Sequence, residues 1–316
     1  MKIYFAGGFC EEKKYDKFKS ITWNRRLISY LSYNKQIEEY FFSEPNEIML
    51  DSGAFSAWNS GIVITLDDYM NFLSNHPHIN LYYNLDVIGD PENTWRNQKI
   101  MEKNGFHPLP VYHFGEERKY LKKCLSYQYF GLGGMVGKKE ECLVRWLDNV
   151  FSELPYNSKK EIDVKIHGLG MTNFRLLTRY PWYSVDSSSW QQGAAYGHIY
   201  VPKKTRNGWD FKNMKFVKIT RTSINLESLK PILEFLGIEI GCSIYKKMAL
   251  GYSLDDDESI VQKRKNDIII EKKFCPGIIN NRDIRCLMNA YCIQQFEKTL
   301  PSWPQTFNYK KKRLWK

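Results

Sequence analysis

Three aspartates stand in short segments that also contain glycine or serine: Asp51 in LDSGAFS, Asp86 in NLDVIGD and Asp186 in YSVDSSSW. Glycine and serine are small, so a ligand can come close to the backbone in such segments. Two carboxylates at one site are the minimum for breaking a glycosidic bond with retention, because one attacks the anomeric carbon while the other transfers protons. The three segments therefore predict a site for double displacement at a sugar carbon.

Each aspartate ends a short apolar run that is typical of a β-strand. Seven such runs follow one another along the chain: KIYFAGG, EIMLDSG, INLYYNLD, LPVYHFG, QYFGLGG, VKIHGLG and WYSVDSS. Segments with helical periodicity lie between them, at 69–73, 93–103, 116–125 and 140–151. Strands that alternate with helices predict parallel βαβ units. Seven or eight units in about 240 residues favour a (β/α)8 barrel of the TIM type, with an open doubly wound sheet as the alternative.

Polar residues and glycines collect at the predicted strand ends: Asp51, Asp86, His113, Gly133, Gly134, His167 and Asp186. In a parallel barrel these carboxyl ends meet at one mouth, where the loops build the active site. Any one of these residues is equally well explained as a helix cap or a turn residue. Three carboxylates and two histidines together are harder to explain in that way, so the pattern predicts a single site.

The composition adds an excess of positive charge, since 46 Lys and Arg residues against 35 Asp and Glu residues give a net charge of +11. Such an excess favours a polyanion as the partner.

No apolar run reaches the roughly 18–20 residues of a membrane span. The N-terminal MKIYFAGGFCEEKKYDK is typical of a first strand rather than a secretory signal, and seven scattered cysteines favour reduced thiols. These features predict a cytoplasmic protein.

The strand–helix alternation weakens after residue 202. The segment 203–222 predicts a hairpin with basic edges, and 226–238 and 281–300 predict helices. The charged stretch 254–267 predicts a solvated surface, and the chain ends in the basic tail NYKKKRLWK. We therefore predict a barrel domain over 1–240 and a C-terminal helical extension with a basic tail over 241–316.

Six segments between about residues 50 and 190 resemble, in the same order, the motifs of the tRNA-guanine transglycosylase superfamily. The resemblance is closest to its DNA-acting, often phage-encoded DpdA-type branch. LDSGAFS is similar to the family's DSGGFQ segment, NLDVIGD to its second aspartate segment, and GLGGMVGK to its GGLAVGE segment. PVYHFG is similar to the strand that carries a glutamine in the tRNA enzymes, and HGLGM and YSVDSSSW to the last strand ends, including the nucleophile segment.

The resemblance implies a role for each aspartate. Asp186 would attack C1′ of the target nucleotide, expel guanine and form a covalent glycosyl-enzyme intermediate. Asp51 would act as general acid and base, protonating the leaving base and deprotonating its replacement. Asp86 would accept hydrogen bonds from the N1–H and amino groups of the purine. The implied function is exchange of guanine in DNA for a 7-deazaguanine derivative of the preQ0 type, in a host cytoplasm if the chain is viral.

Further residues of the resemblance concern recognition of the base. Backbone N–H groups near Gly133 and Gly134 would hold the purine O6 oxygen, and His113 stands where the tRNA enzymes have glutamine, although imidazole cannot reproduce the paired donor and acceptor of an amide. His167 is also predicted to bind substrate. Trp190 would stack on a base flipped out of DNA, or else pack at the barrel rim.

Two basic groups are predicted to contact DNA phosphates: Lys203, Lys204 and Arg206 in the hairpin, and Lys311, Lys312 and Arg313 in the tail. Their alternative explanations are an exposed hairpin edge and a frayed, solvated terminus. The predicted partners are thus DNA, duplex or single-stranded, and a free 7-deazaguanine base.

The chain departs from the tRNA enzymes in lacking their compact C-x-C-x-x-C zinc motif. Its late cysteines, Cys275, Cys286 and Cys292, are spaced too widely for that motif, and the last two have the spacing of a core helix. A structural zinc site assembled from these cysteines in space stays open as the alternative. No P-loop or dinucleotide fingerprint is present, so no cofactor is predicted. Three alternatives stay open: the same exchange on tRNA, hydrolysis of a small glycoside or nucleoside, and a catalytically inactive barrel that only binds nucleic acid.

Overall fold

The computed structural model describes residues 1–8, 20–43, 47–219, 252–253, 260–264, 267–271, 274–275 and 282–307. The chain divides into two compact units. The first unit comprises residues 1–7, 22–188 and 300–316, and the second comprises 8–21 and 189–299. The domain boundary predicted at residue 240 and the helix predicted at 226–238 lie outside the described residues.

A curled sheet of seven parallel strands forms the centre of the first unit. In chain order the strands are β1 Lys2–Ala6, β2 Arg25–Ser29, β3 Glu47–Asp51, β4 Val111–His113, β5 Tyr129–Gly133, β6 Lys165–Gly168 and β7 Ser184–Ser187. They are hydrogen-bonded in the spatial order β3-β2-β1-β7-β6-β5-β4, and every neighbouring pair is parallel. The predicted α/β class with a parallel sheet is therefore confirmed.

Helices flank this sheet. They are α1 Lys35–Ser43, α2 Ala54–Ser60, α3 Leu66–Asn75, α4 Pro91–Lys103, α5 Arg118–Cys124, α6 Glu140–Ser152 and α7 Phe174–Arg179. Two of these helices begin at a residue whose side chain caps the first turn. The side chain of Thr65 caps α3. Asp90 caps α4 by accepting from the Asn93 N–H, and Pro91 lies in the first turn of α4. The four predicted helical segments correspond to α3, α4, α5 and α6.

The sheet differs from the predicted barrel in two places. Strand β2 was not predicted, because Arg25 and Arg26 interrupt its apolar pattern, although Arg26 is fully buried and its guanidinium donates to the Gly7 carbonyl. The predicted strand INLYYNLD is not part of the ladder. It makes only two single parallel bridges, Leu50 with Tyr82 and Tyr83 with Leu109. The ladder formed by the described residues thus has seven strands rather than eight.

The alternation of side chains along the strands determines where the polar residues lie. One face of the sheet carries a buried cluster of Tyr4, Ala6, Leu27, Met49, Tyr83 and Val111. Residues two apart in a strand share a face. Asp51 follows Met49 by two positions, and His113 follows Val111 in the same way. These polar side chains therefore continue the apolar face at the carboxyl ends of the strands.

The second unit contains the predicted hairpin and the predicted last helix. Its elements are α8 Ser189–Ala195, β8 His198–Thr205, β9 Gly208–Lys218, β10 Tyr252–Ser253, β11 Ile260–Arg264, β12 Asp267–Glu271, β13 Phe274–Cys275 and α9 Arg282–Lys298. The amide of Asn289 on α9 donates to the carbonyls of Trp190 and His198 and accepts from the Tyr200 N–H. One buried side chain thereby joins α9 to α8 and to the hairpin of β8 and β9.

Strand β11 falls within the charged stretch 254–267, which was predicted as a solvated surface.

None of the helices in the described ranges is long and apolar enough to cross a lipid bilayer.

Candidate active site

Asp51 is the last residue of β3, and the pKa of its carboxyl group is close to neutral pH. Its Oδ2 accepts from the Gly53 N–H at 2.9 Å, and Gly53 has a left-handed φ of 77° with no room for a Cβ, which would lie 2.8 Å from Ser29 Oγ. Burial raises the pKa of Asp51 to about 7, and the negative charges of Asp86 and Asp186 act in the same direction. A carboxyl group with this pKa can both give and take a proton near neutral pH.

Asp86 and His113 form an ion pair that Glu116 extends. His113 Nε2 lies 3.2 Å from Asp86 Oδ2, and its Nδ1 lies 2.9 Å from Glu116 Oε1. Burial alone would lower the pKa of His113, but the two carboxylates outweigh it and raise the pKa to about 10. At neutral pH the ring is therefore an imidazolium that donates a hydrogen bond to a carboxylate on each side.

The other oxygen of Asp86 is left unmatched. Asp86 Oδ1 is buried and has no hydrogen-bond partner among the described residues. A buried acceptor of this kind costs about 1–3 kcal/mol unless a donor meets it. A ligand with N–H donors can supply that hydrogen bond, and the contact of Asp86 with a purine stays a prediction.

Asp186 on β7 is held by a chain of hydrogen bonds. His167 Nε2 lies 3.2 Å from Asp186 Oδ1, its Nδ1 lies 2.7 Å from Ser184 Oγ, and the Tyr129 hydroxyl lies 2.6 Å from the same Ser184 oxygen. The Gly170 N–H also donates to Oδ1, at 2.8 Å. Because a carboxylate only accepts, the His167 Nε2 carries the proton in this pair. Both hydrogen bonds that the described residues give this carboxylate go to Oδ1, which leaves Oδ2 for attack on an electrophile.

His167 itself is fully buried under the carboxylate. Its ring contacts Tyr4 and Tyr83 at centroid distances of 5.8 and 5.9 Å. The described contacts of the His167 ring are therefore with Ser184, Asp186 and the two tyrosine rings. Binding of substrate by His167 stays a prediction.

Tyr83 was not predicted as a site residue. Its hydroxyl is buried and has no hydrogen-bond partner in the part of the chain that the structure describes. Burial raises the pKa of the Tyr83 hydroxyl well above its usual value, and the nearby charges of Asp186 and Asp51 add to that rise. The segment YYNLD reads as an apolar strand, and only the structure brings this hydroxyl close to the two carboxylates.

Replacing Tyr83 with phenylalanine is expected to stabilise the fold by about 1 kcal/mol, because it removes a buried unmatched hydroxyl and keeps the ring. Chemical denaturation measures the free energy of unfolding. The matched control is Tyr69→Phe, since the Tyr69 hydroxyl is buried and donates to the Tyr83 carbonyl at 2.8 Å. The control is expected to lose about 1 kcal/mol. A loss of similar size in Tyr83→Phe would mean that its hydroxyl is satisfied.

The two predicted glycines are explained in part by packing against β4. A Cβ on Gly133 would lie 2.7 Å from His113 Cδ2 and 3.1 Å from Val111 Cγ1. Gly134 has a left-handed φ of 69°, and a Cβ there would lie 3.1 Å from the Phe114 backbone nitrogen. Glycine at position 133 thus lets the His113 ring lie against β5, and glycine at position 134 makes room for the Phe114 backbone. The contact of their N–H groups with a purine oxygen stays a prediction.

The remaining predicted residues belong to the second unit or lie outside the described residues. Trp190 is fully buried on α8, and Lys203, Lys204 and Arg206 are exposed in the hairpin of β8 and β9. Lys311, Lys312 and Arg313 lie outside the described residues. The roles predicted for all of these residues stay predictions.

Two of the late cysteines have the environment that was predicted for them. Cys286 and Cys292 are fully buried on α9, as expected for a core helix. In the ranges that the structure describes, no group of three or more His, Cys, Asp or Glu side chains is arranged to hold a metal ion.

The chain matches no protein-family model, and no curated protein matches it.

Proposed function

We propose that this chain is a DNA-guanine transglycosylase that exchanges guanine in DNA for a 7-deazaguanine derivative through a covalent aspartyl-glycosyl intermediate. One observation carries the proposal. A carboxylate anchored through a single oxygen, Asp186, shares a site with a carboxyl group of pKa about 7, Asp51. This is the pair of groups that double displacement at a sugar carbon requires. The ordered motifs and the net charge of +11 support nucleic acid as the substrate.

In the first displacement, Asp186 Oδ2 forms a bond to C1′ of the target nucleotide. The bond between C1′ and the base nitrogen breaks, its electron pair goes to the base, and Asp51 gives the base a proton. In the second displacement, Asp51 removes a proton from the incoming base, whose nitrogen attacks C1′ and releases Asp186. Two inversions give retention, and the exchange needs no redox partner or nucleotide triphosphate.

Asp86 is the proposed acceptor for the base. Its unmatched Oδ1 suits the N1–H and amino donors of guanine, whereas adenine presents an acceptor at N1. Leaving a buried polar group unmatched costs free energy, so a base without these donors is disfavoured. The fold fits the same proposal. The single bridges of Tyr82 and Tyr83 support a closed (β/α)8 barrel in which their segment is the eighth strand between β3 and β4.

DNA is preferred to tRNA because HGLGM and SVDSSSW are more similar to the DNA-acting branch. The test is incorporation of labelled guanine or a labelled 7-deazaguanine into duplex DNA, single-stranded DNA and tRNA, with a reaction lacking polymer as control. Label in DNA alone supports the proposal. Label in tRNA alone keeps the chemistry and changes the substrate. No label in any polymer would contradict the proposal and favour a hydrolase of small glycosides or a binding protein.

Binding to DNA is expected to weaken steeply with salt, because phosphate contacts release counterions. The log–log slope of affinity against salt is about −0.9 for each phosphate neutralised on duplex DNA. Replacing the exposed Lys203, Lys204 and Arg206 with glutamine should therefore make the slope less negative by about 2.7, measured by fluorescence anisotropy. The matched control replaces three lysines exposed in the first unit: Lys103, Lys122 and Lys159. An unchanged slope in the hairpin variant would remove these residues from the DNA contact.

A further inference from the structure

Glu116 places both of its carboxylate oxygens on one residue, His113. Its Oε2 accepts from the His113 backbone N–H at 3.0 Å, and its Oε1 accepts from the ring Nδ1 at 2.9 Å. The intervening turn is tight: the Glu116 N–H donates to the His113 carbonyl, and Gly115 has a φ of 91°. The Tyr112 hydroxyl donates to the Glu116 carbonyl at 3.0 Å. This turn therefore fixes Glu116 relative to the histidine it binds.

The His113 ring is fixed on its other sides as well. Its Nε2 lies 3.2 Å from Asp86 Oδ2, and its Cδ2 lies where a Cβ on Gly133 would come within 2.7 Å. The side chains of Glu116 and Asp86 are only 13% and 14% exposed. Charge-assisted hydrogen bonds of this length are strong at buried sites. The three side chains thus form a rigid row of carboxylate, imidazolium and carboxylate that ends in the free Oδ1 of Asp86.

We propose that Glu116 is a positioning residue for base recognition: it holds the His113 ring, which fixes Asp86 as an acceptor with Oδ1 open to the N–H donors of a guanine-type base. This inference rests on the proposed function and names a residue that the motifs leave out. Glu116 does not touch the base. It acts through His113 on the one oxygen that does.

The reason for two carboxylates is electrostatic. Without the Glu116 carboxylate, Asp86 would be the one charged group among the described residues that hydrogen-bonds the His113 ring, and Nδ1 would lose its acceptor. Asp86 Oδ2 would then lose a fixed donor, and Oδ1 would no longer be held in one position for the base. Removal of the Glu116 charge takes away one of the two carboxylates that raise the pKa of His113.

The test is binding of free guanine to the full chain by calorimetry, with hypoxanthine, which lacks the amino group, as comparator. Glu116→Gln keeps the size and one acceptor but removes the charge. It is expected to weaken guanine binding about tenfold to hundredfold, as for loss of a hydrogen bond to a charged group, and to reduce the preference for guanine over hypoxanthine. The matched control is Glu117→Gln, because Glu117 is the adjacent residue and its side chain is 71% exposed. The control is expected to bind guanine as the unmodified chain does.

A double-mutant cycle separates positioning from folding. In an Asp86→Ala background, Glu116→Gln should have no further effect on guanine binding, because the carboxylate it positions is already gone. Thermal unfolding of each variant shows whether the fold is kept. Equal guanine affinity in the unmodified chain and in Glu116→Gln would overturn the inference and leave the proposed function standing. Absence of guanine binding in the unmodified chain would instead overturn the proposed function and this inference with it.

Discussion

Replacing Asp186 with asparagine is expected to lower the rate of base exchange about ten-thousandfold or more, because an amide cannot form the glycosyl ester. Asparagine has nearly the same shape as aspartate, and its carbonyl oxygen can accept from the His167 Nε2–H and the Gly170 N–H as Oδ1 does. The fold should therefore be kept while the chemistry is lost. Single-turnover release of labelled guanine from DNA measures the rate. A denaturing gel measures the covalent adduct between chain and DNA, which should be absent.

The matched control for this variant is Asp163→Asn. Asp163 is an exposed carboxylate of the same unit, and its one hydrogen bond to the described residues is from its backbone N–H to the Pro155 carbonyl. Its replacement should leave the exchange rate and the adduct unchanged. An Asp186→Asn variant that exchanges bases at the normal rate would rule out the covalent mechanism, whatever the substrate.

Replacing Asp51 with asparagine is expected to slow guanine release about 10²–10⁴-fold, the usual contribution of a general acid or base. The unmodified chain should lose release activity as the pH rises past about 7, because Asp51 must be protonated to give the leaving base its proton. The variant should lack this limb of the pH profile. Rates of release measured in single turnovers between about pH 5 and pH 9 provide the test. A profile that is the same in both chains would mean that another group donates the proton.

The same carboxyl group links pH to stability with a definite sign. The pKa of Asp51 is about 7 in the folded chain, well above the value of about 3.9 in an unfolded one. The folded state therefore binds the proton more tightly, and the stability from this group is full below about pH 4 and lost as the pH rises through about 7. Asparagine is neutral throughout. The Tm of Asp51→Asn relative to the unmodified chain should thus be higher at pH 8 than at pH 5.

The sequence predicts those parts of the site that lie at strand ends. Met49 and Asp51 illustrate the reason, because alternation along a strand indicates both a buried face and the polar residue that continues it. The motif resemblance predicts Asp86 for the same reason, because this residue also stands at the end of an apolar run. The pairing of Glu116 with His113 could not be predicted, since it depends on a turn in which Gly115 takes a φ of 91°. A glutamate three residues after a histidine is otherwise common on any surface.

Other features were hidden because the residue type has a more usual explanation. Tyr83 in YYNLD is typical of a buried aromatic in a strand, and nothing in its neighbours indicates an unmatched hydroxyl. Strand β2 could not be predicted because arginine is rarely buried, whereas Arg26 is fully buried in this strand. In both cases the surroundings of the side chain come from other segments: Tyr83 lies near the charges of Asp186 and Asp51, and Arg26 donates to the Gly7 carbonyl.

The one-sided anchoring of Asp186 has a consequence for the lifetime of the glycosyl ester in the proposed reaction. Once Oδ2 is esterified, Oδ1 becomes the carbonyl oxygen of the ester, and the His167 Nε2–H and the Gly170 N–H remain in place to bind it. As the ester breaks, negative charge returns to the carboxylate, and the same two donors stabilise it. The anchored oxygen thus makes Asp186 a better leaving group. In the proposed reaction the glycosyl ester can therefore be broken again instead of accumulating, and the exchange can run in both directions.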